Sequence, residues 1–352
     1  MNNNILIIRV FNNTIELDGL SLADWDLLLR QARQGNLLAK LHAILSERSQ
    51  LASIPEAARR HLEWQHTVAE RHTLAVQWEV RQIQQALAHL DLPVILLKGA
   101  AYVMAGLPAA QGRVFTDIDI LVPKQRLNEV EAALMLHGWA STHHYAYDQH
   151  YYRAWMHELP PMQHRKRLTV IDVHHAILPD TAALHPDAGK LRAAACPLTE
   201  QLAVLAPVDM VLHSATHLFH GGELENGLRD LLDIDSLLRH FGALPDFWNA
   251  LTERAQEQEL SRPLFYGLRY AKLLLHTPIP PDVVLDAPNR FLLALMDRLF
   301  SRALRPDHAS CNDSLSGTTR LMLYVRANWQ RMPPLLLARH LFHKAFISPK
   351  AQ

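Results

Sequence analysis

Two aspartates stand two positions apart in the segment Gly-Arg-Val-Phe-Thr-Asp-Ile-Asp-Ile-Leu-Val-Pro, residues 112–123. The rest of the segment is typical of a buried strand, where aspartate is rare unless something offsets its cost. Side chains alternate along a strand, so Asp117 and Asp119 share one face and repel each other unless a cation lies between them. Mg²⁺ prefers such oxygen ligands. The pair therefore predicts a divalent metal site.

Neighbouring segments carry side chains suited to the same chemistry. Lys98 and Gly99 end a short apolar strand, where a glycine turn lets backbone N–H groups approach phosphates. In the later segment Thr-Val-Ile-Asp-Val-His-His-Ala-Ile, Asp172 and His174 share a face, and Asp172 would complete a two-metal site. Lys98 and Arg113 would add cations against triphosphate charge, although Arg113 could equally neutralise the aspartates. These parts fit nucleotidyl transfer.

Helical spacing dominates both ends of the chain. Apolar residues recur with a helical period from Ser21 to about His89, and again from roughly Pro186 onwards, as in residues 207–220 and 227–241. Residues 1–18 could form a small hairpin that turns at two asparagines.

Strands and helices alternate between these helical parts. A strand at 94–97 leads into a short helix at 100–105, the aspartate strand follows, and residues 124–139 predict an amphipathic helix. The aromatic segment Tyr-Tyr-Arg-Ala-Trp-Met-His-Glu-Leu, residues 151–159, and the Asp172 segment are then predicted as further strands. The alternation indicates an α/β core.

The motifs Leu-Leu-Lys-Gly-Ala-Ala, Gly-Arg-Val-Phe-Thr-Asp-Ile-Asp-Ile-Leu-Val and Val-Ile-Asp-Val-His-His resemble the nucleotidyltransferase superfamily that includes DNA polymerase β and the aminoglycoside nucleotidyltransferases. With Leu-Arg-Asp-Leu-Leu-Asp-Ile-Asp-Ser-Leu-Leu, they resemble more narrowly a large bacterial family of uncharacterised nucleotidyltransferases, from about Ala32 to beyond Leu238. The resemblance implies an α+β fold. A small mixed-sheet nucleotidyltransferase core, residues 91–180, would be flanked by an N-terminal mainly helical region, 1–90, and a C-terminal helical domain, 181–352.

The resemblance also implies roles for individual residues. Asp117, Asp119 and Asp172 would be the catalytic residues and the metal ligands, and Gly99 would form the phosphate turn. From the residues themselves, Lys98, Arg113 and His174 join Gly99 as predicted nucleotide-binding residues. His174 could orient a phosphate or carry a proton, and a histidine hydrogen-bonded inside the core is the alternative. The chain departs from the superfamily in two ways: Ala100 replaces the usual serine or glycine after Gly99, and eighteen positions separate Gly99 from Asp117, more than in many members.

Two other groups of side chains in the helical part have alternative interpretations. His213, His217 and His220 align on one helix face, which is compatible with a zinc site or with the lining of a substrate cleft. Arg229 and Asp233 stand four positions apart on a predicted helix, flanked by Asp230 and Asp235. The group predicts structural ion pairing or helix-surface charge, and a general base facing the acceptor is the alternative.

Composition limits the class of protein. The 352 residues include 35 basic and 35 acidic side chains, so nucleic acid is not an expected partner. Two cysteines and the lack of a signal peptide or long apolar span favour a cytoplasmic location. The chain after Asp313 has no acidic residue and a basic tail, which could contact an acidic surface or simply be solvated. Its six basic residues are Arg320, Arg326, Arg331, Arg339, Lys344 and Lys350.

The expected function is transfer of a nucleoside monophosphate from an NTP, with ATP the expected nucleotide, to a hydroxyl-bearing acceptor, with release of pyrophosphate. Mg²⁺ is the expected cofactor and Mn²⁺ the alternative. A low-turnover NTP-binding regulatory or toxin–antitoxin-type protein is the alternative function, and a histidine-ligated metal protein a third. The acceptor and the oligomeric state are open at this point.

Overall fold

The structure is a computed structural model that describes residues 5–143, 145–222, 224–333 and 335–338. Helices surround a single mixed sheet in this part of the chain. The α-helices are α1 Leu6–Phe11, α2 Leu22–Gln34, α3 Leu38–Glu47, α4 Glu56–Leu87, α5 Lys98–Met104, α6 Leu127–Leu136, α7 Ala146–Trp155, α8 Ala188–Ala193, α9 Pro207–His220, α10 Gly227–Phe241, α11 Phe247–Glu257, α12 Ser261–Leu275, α13 Arg290–Ala303 and α14 Ser316–Arg331.

The sheet has the strand order β3-β4-β5-β2-β1-β7-β6. Its strands are β1 Val94–Leu96, β2 Asp117–Leu121, β3 Trp139–Ser141, β4 Met162–His164, β5 Val170–His174, β6 Cys196–Pro197 and β7 Leu202–Val204. The β2–β5 and β1–β7 pairs are parallel and the others antiparallel, so the sheet is mixed. This confirms the α+β prediction. The boundaries proposed at 90 and 180 stay predictions, and the sheet itself continues to Val204.

Three elements in the centre of the fold determine where the polar side chains meet. Strand β1 is buried throughout and leads directly into α5, which begins at Lys98. Helix α9 packs against α5 through a 2.6 Å hydrogen bond between the hydroxyls of Tyr102 and Ser214. Proline at the first position of α9 suits a helix start, because its missing N–H has no partner there in any case. The sheet and α9 thus both flank α5.

Two predicted elements have a different secondary structure. The hairpin prediction for residues 1–18 is wrong from Leu6 to Phe11, which form α1, with Ile7 N–H donating to Gln31 of α2. The strand prediction for residues 151–159 is also wrong over most of its length, because α7 extends to Trp155. Both segments are short and rich in apolar side chains, and such runs do not distinguish a strand from a buried helix.

The helices and the basic tail bear on whether the chain could contact a membrane or an acidic surface. No helix within the described ranges combines the length and apolar character needed to cross a bilayer. In the basic tail, Arg320 pairs with Asp307 and Arg326 donates to the carbonyl of Phe219. The tail residues Arg339, Lys344 and Lys350 lie outside the described residues.

Candidate active site

Three carboxylates from two neighbouring strands meet on one face of the sheet. Asp117 begins β2, and Asp119 lies two residues further along, on the same side. Because β2 and β5 are parallel and in register, Asp119 lies directly beside Asp172. Ligand oxygens of the three side chains all lie within 4.8 Å of one another. The register of the sheet thus brings together the predicted acidic residues.

Two basic side chains hold Asp119, which is 5% exposed. Lys98 donates from Nζ to Oδ1 over 3.1 Å, and His174 Nε2 lies 3.0 Å from the same oxygen. Burial by itself raises the pKa of Asp119, but Lys98 and His174 outweigh it and hold that pKa well below its usual range. Asp119 is therefore ionised and fixed in orientation.

Asp172 has the opposite electrostatic situation. Its Oδ1 is buried and has no hydrogen-bond partner within the described part of the chain. Burial, followed by the nearby charges of Asp119 and Glu158, raises its pKa to about 7. An unpartnered buried carboxylate oxygen beside two further carboxylates is a set of hard oxygen donors suited to a divalent cation. The residues present fit a divalent ion such as Mg²⁺.

A second polar cluster, formed by His157, Glu158 and His174, contacts the carboxylates through Asp119. His174 contacts Asp119 through Nε2, while its Nδ1 lies 3.2 Å from Glu158 Oε2. The ring of His157 lies 5.2 Å from that of His174. Burial lowers the pKa of His174, but Glu158 and Asp119 together raise it. Both nitrogens of His174 are thus engaged by carboxylates, and the ring positions Asp119.

Sequence reasoning missed Glu158. It follows α7 in the segment Met-His-Glu-Leu, residues 156–159, and forms an isolated bridge with His174. A glutamate between apolar residues is rarely buried without a partner, and this was the available signal.

Gly99 lies where α5 and the segment before β2 approach each other closely. A Cβ at this position would lie 2.3 Å from Arg113 Nη1 and 2.7 Å from the ring of Phe115. Lys98, immediately before it, adopts a left-handed conformation with φ of 44°, which is uncommon for a residue other than glycine. The absence of a side chain at Gly99 therefore serves the packing of the turn, and its predicted contact with phosphate stays a prediction.

We expect Gly99→Ala to lower the free energy of unfolding by about 1–3 kcal/mol, the usual cost of overpacking a core. Arg113 is buried and ion-paired, so it cannot move aside to admit the methyl group. Gly317→Ala is the matched control, because nothing lies within 4 Å of a Cβ there. Urea unfolding would measure both variants. Equal stability of the two variants would contradict the steric role.

Arg113 faces α10, away from the strand carboxylates. Its Nε lies 2.6 Å from Asp233 Oδ2, and its Nη2 lies 3.8 Å from Asp230 Oδ1. Ion pairing is present in the predicted charged group of α10, but Arg229 contacts Asp230 at 3.0 Å and Asp233 pairs with Arg113. The sequence allows two interpretations of Arg113, as a phosphate contact or as a residue that neutralises the strand aspartates. The geometry favours a neutralising role, but the carboxylates that Arg113 neutralises belong to α10 and not to β2. Its phosphate contact stays a prediction.

The three aligned histidines of α9 divide between two environments. Burial and Lys98 lower the pKa of His213 to about 3, and Lys98, followed by burial, lowers that of His217 well below its usual value. Both rings are therefore neutral and lie near Lys98. Burial, Arg326 and Arg331 lower the pKa of His220 to about 4. Among the described residues, two groups of side chains lie close enough together to hold a metal ion, and neither group includes these three histidines.

Carboxylates on two adjacent strands, next to a lysine at the first strand–helix turn, form the arrangement expected of a nucleotidyltransferase. The chain belongs to a family described as uncharacterised nucleotidyltransferases, whose model matches residues 21–276. This confirms the resemblance inferred from the sequence motifs and is consistent with transferase activity. No curated protein matched the chain.

Proposed function

We propose that this protein transfers a nucleoside monophosphate from an NTP, ATP being the expected one, to a hydroxyl group of an acceptor and releases pyrophosphate. The observation that carries the proposal is the convergence of Asp117, Asp119 and Asp172, whose ligand oxygens lie within 4.8 Å of one another. These carboxylates would hold Mg²⁺ or Mn²⁺. Divalent ions at such a site clamp the attacking and leaving oxygens of an in-line displacement at phosphorus.

The protein's own side chains would orient the reacting groups. His174 lies between Glu158 and Asp119 and keeps the Asp119 carboxylate in one position, because the ring contacts both. Lys98 places its ammonium 3.1 Å from Asp119, beside the carboxylates, where it would offset phosphate charge. No hydrogen bond of the described residues uses Asp119 Oδ2, so that oxygen would be the metal ligand. Asp172 would offer Oδ1 in the same way.

Pyrophosphate release is the test of this proposal. The protein would be incubated with each of the four common NTPs, Mg²⁺ and a cell extract as the source of acceptor. We expect pyrophosphate from one nucleotide, its loss with EDTA, and its return when Mg²⁺ or Mn²⁺ is added in excess. The control is the same extract without the protein. Tight NTP binding without pyrophosphate release would instead support the low-turnover regulatory alternative.

A further inference from the structure

The end of α14 carries a basic side chain in a part of the chain beyond the family match, which ends at residue 276. Arg331 is the last residue of this helix. The Thr181 hydroxyl donates to its carbonyl over 2.7 Å, which ties the helix end to the segment after β5. Met332 then belongs to the same small apolar cluster as Met156, which lies two residues before Glu158. The end of the helix is thus anchored close to the polar cluster.

The guanidinium of Arg331 has an unsatisfied donor in the described ranges. None of the ion pairs there involves Arg331, and its Nε is buried without a hydrogen-bond partner. A Cβ on Gly221, at the end of α9, would lie 3.1 Å from Nη2, so the group lies against that helix end. Buried donors are nearly always satisfied in folded proteins. An unsatisfied arginine in such a place favours an anionic ligand.

Arg331 and Lys98 act on the same neighbouring groups. Lys98 is the largest cause of the lowered pKa of His217, and Arg331 adds to it. Burial raises the pKa of Glu158, while both cations oppose that rise. Burial also lowers the pKa of His157, and again both cations contribute. Both cations therefore act on His157 and Glu158, which lie against His174, the ring that contacts Asp119.

We propose that Arg331 binds the β- and γ-phosphates of the nucleotide and, with Lys98, holds the pyrophosphate moiety that leaves. This inference rests on the function proposed above. Guanidinium matches phosphate with two parallel hydrogen bonds, whereas a lysine ammonium acts as a point charge. Arg331 would therefore distinguish nucleoside triphosphates and pyrophosphate from nucleoside monophosphates. The recognition would come from a helix outside the matched family region.

Calorimetric titration of the full-length protein with Mg²⁺ and ATP, pyrophosphate or AMP tests this role. Arg331→Ala should weaken binding of ATP and of pyrophosphate by about tenfold to a hundredfold, the contribution of a hydrogen bond to a charged group. Binding of AMP should change less than about twofold, since AMP lacks the phosphates that Arg331 contacts. Arg331→Lys, which keeps the charge without the planar fork, should give an intermediate loss.

Arg320→Ala is the matched control, because Arg320 belongs to the same helix and pairs with Asp307 and Asn312. It should leave all three affinities unchanged. Unaltered ATP affinity in Arg331→Ala, or an equal loss for ATP and AMP, would overturn the phosphate role of Arg331 alone. A wild-type protein that binds none of the three would instead remove the proposed function. If Arg331→Ala fails to fold, Arg331→Lys decides. Wild-type affinity of Arg331→Lys for pyrophosphate would contradict bidentate binding by the guanidinium, and a loss of ATP and pyrophosphate affinity without a loss of AMP affinity would support it.

Discussion

Asp117→Asn should lower the rate of NTP-dependent pyrophosphate release about a thousandfold, because metal-held charge stabilisation contributes several kcal/mol and each 1.4 kcal/mol is tenfold in rate. Asn keeps the shape of the side chain and removes its negative charge. Asp117 is only half-buried, and its one hydrogen bond in the described chain is a 3.5 Å contact from the Thr116 hydroxyl. The fold should therefore be unaffected, and the melting temperature should stay the same or rise.

Asp117 is a sharper target than Asp119. Asp119 also holds Lys98 and His174, so Asp119→Asn would disturb the neighbouring structure as well as the metal site. Asp26→Asn is the control, since this carboxylate is exposed on α2 and, among the residues that the structure describes, pairs with Arg30 alone. Rates would be measured at saturating Mg²⁺ with melting temperatures recorded in parallel. Full activity in Asp117→Asn would end the metal role of the strand aspartates.

Arg113→Met should lower the free energy of unfolding by about 3–5 kcal/mol, the usual cost of leaving one partner of a buried ion pair alone. Arg113 is 6% exposed and Asp233 is 3% exposed, so water cannot replace the lost contact. Asp230 still has Arg229, and the uncompensated charge is thus that of Asp233. Urea unfolding followed by circular dichroism would measure the change.

The design of this experiment separates the two interpretations of Arg113. Arg30→Met removes an exposed pair on α2 and should cost no more than about 1 kcal/mol. The double variant Arg113→Met with Asp233→Leu should recover much of the loss, because it also removes the buried carboxylate that Arg113 neutralises. If Arg113→Met is as stable as Arg30→Met but loses ATP affinity, Arg113 contacts phosphate and its structural role is wrong.

Long periodic segments were predictable from the sequence. The helical period of residues 207–220 and 227–241 predicts two helices, and these segments form α9 and α10 with those bounds. Their apolar residues recur over several turns, and Pro207 and Gly242 mark a start and an end. Strand β2 was predictable for a similar reason, because its apolar residues alternate with Asp117 and Asp119.

Short apolar segments and distant charge pairs were not predictable in the same way. The run from Ile5 to Val10 suits a strand or a buried helix, and it forms α1 because packing against α2 and α12 decides between them. Arg113 and Asp233 are 120 positions apart, and nothing local to either residue indicates the other. Glu158 likewise meets His174 only after α7 and β5 have packed.

The sequence by itself determined the family and the common face of Asp117 and Asp119, because alternation along a strand is a local property of the backbone. Tertiary structure decided which side chains surround them. The parallel register of β2 and β5 places Asp172 beside Asp119. The packing of α5 against the sheet and of α9 against α5 brings Lys98 and His217 near. Register and helix packing depend on burial of the whole core, so no short motif specifies these partners.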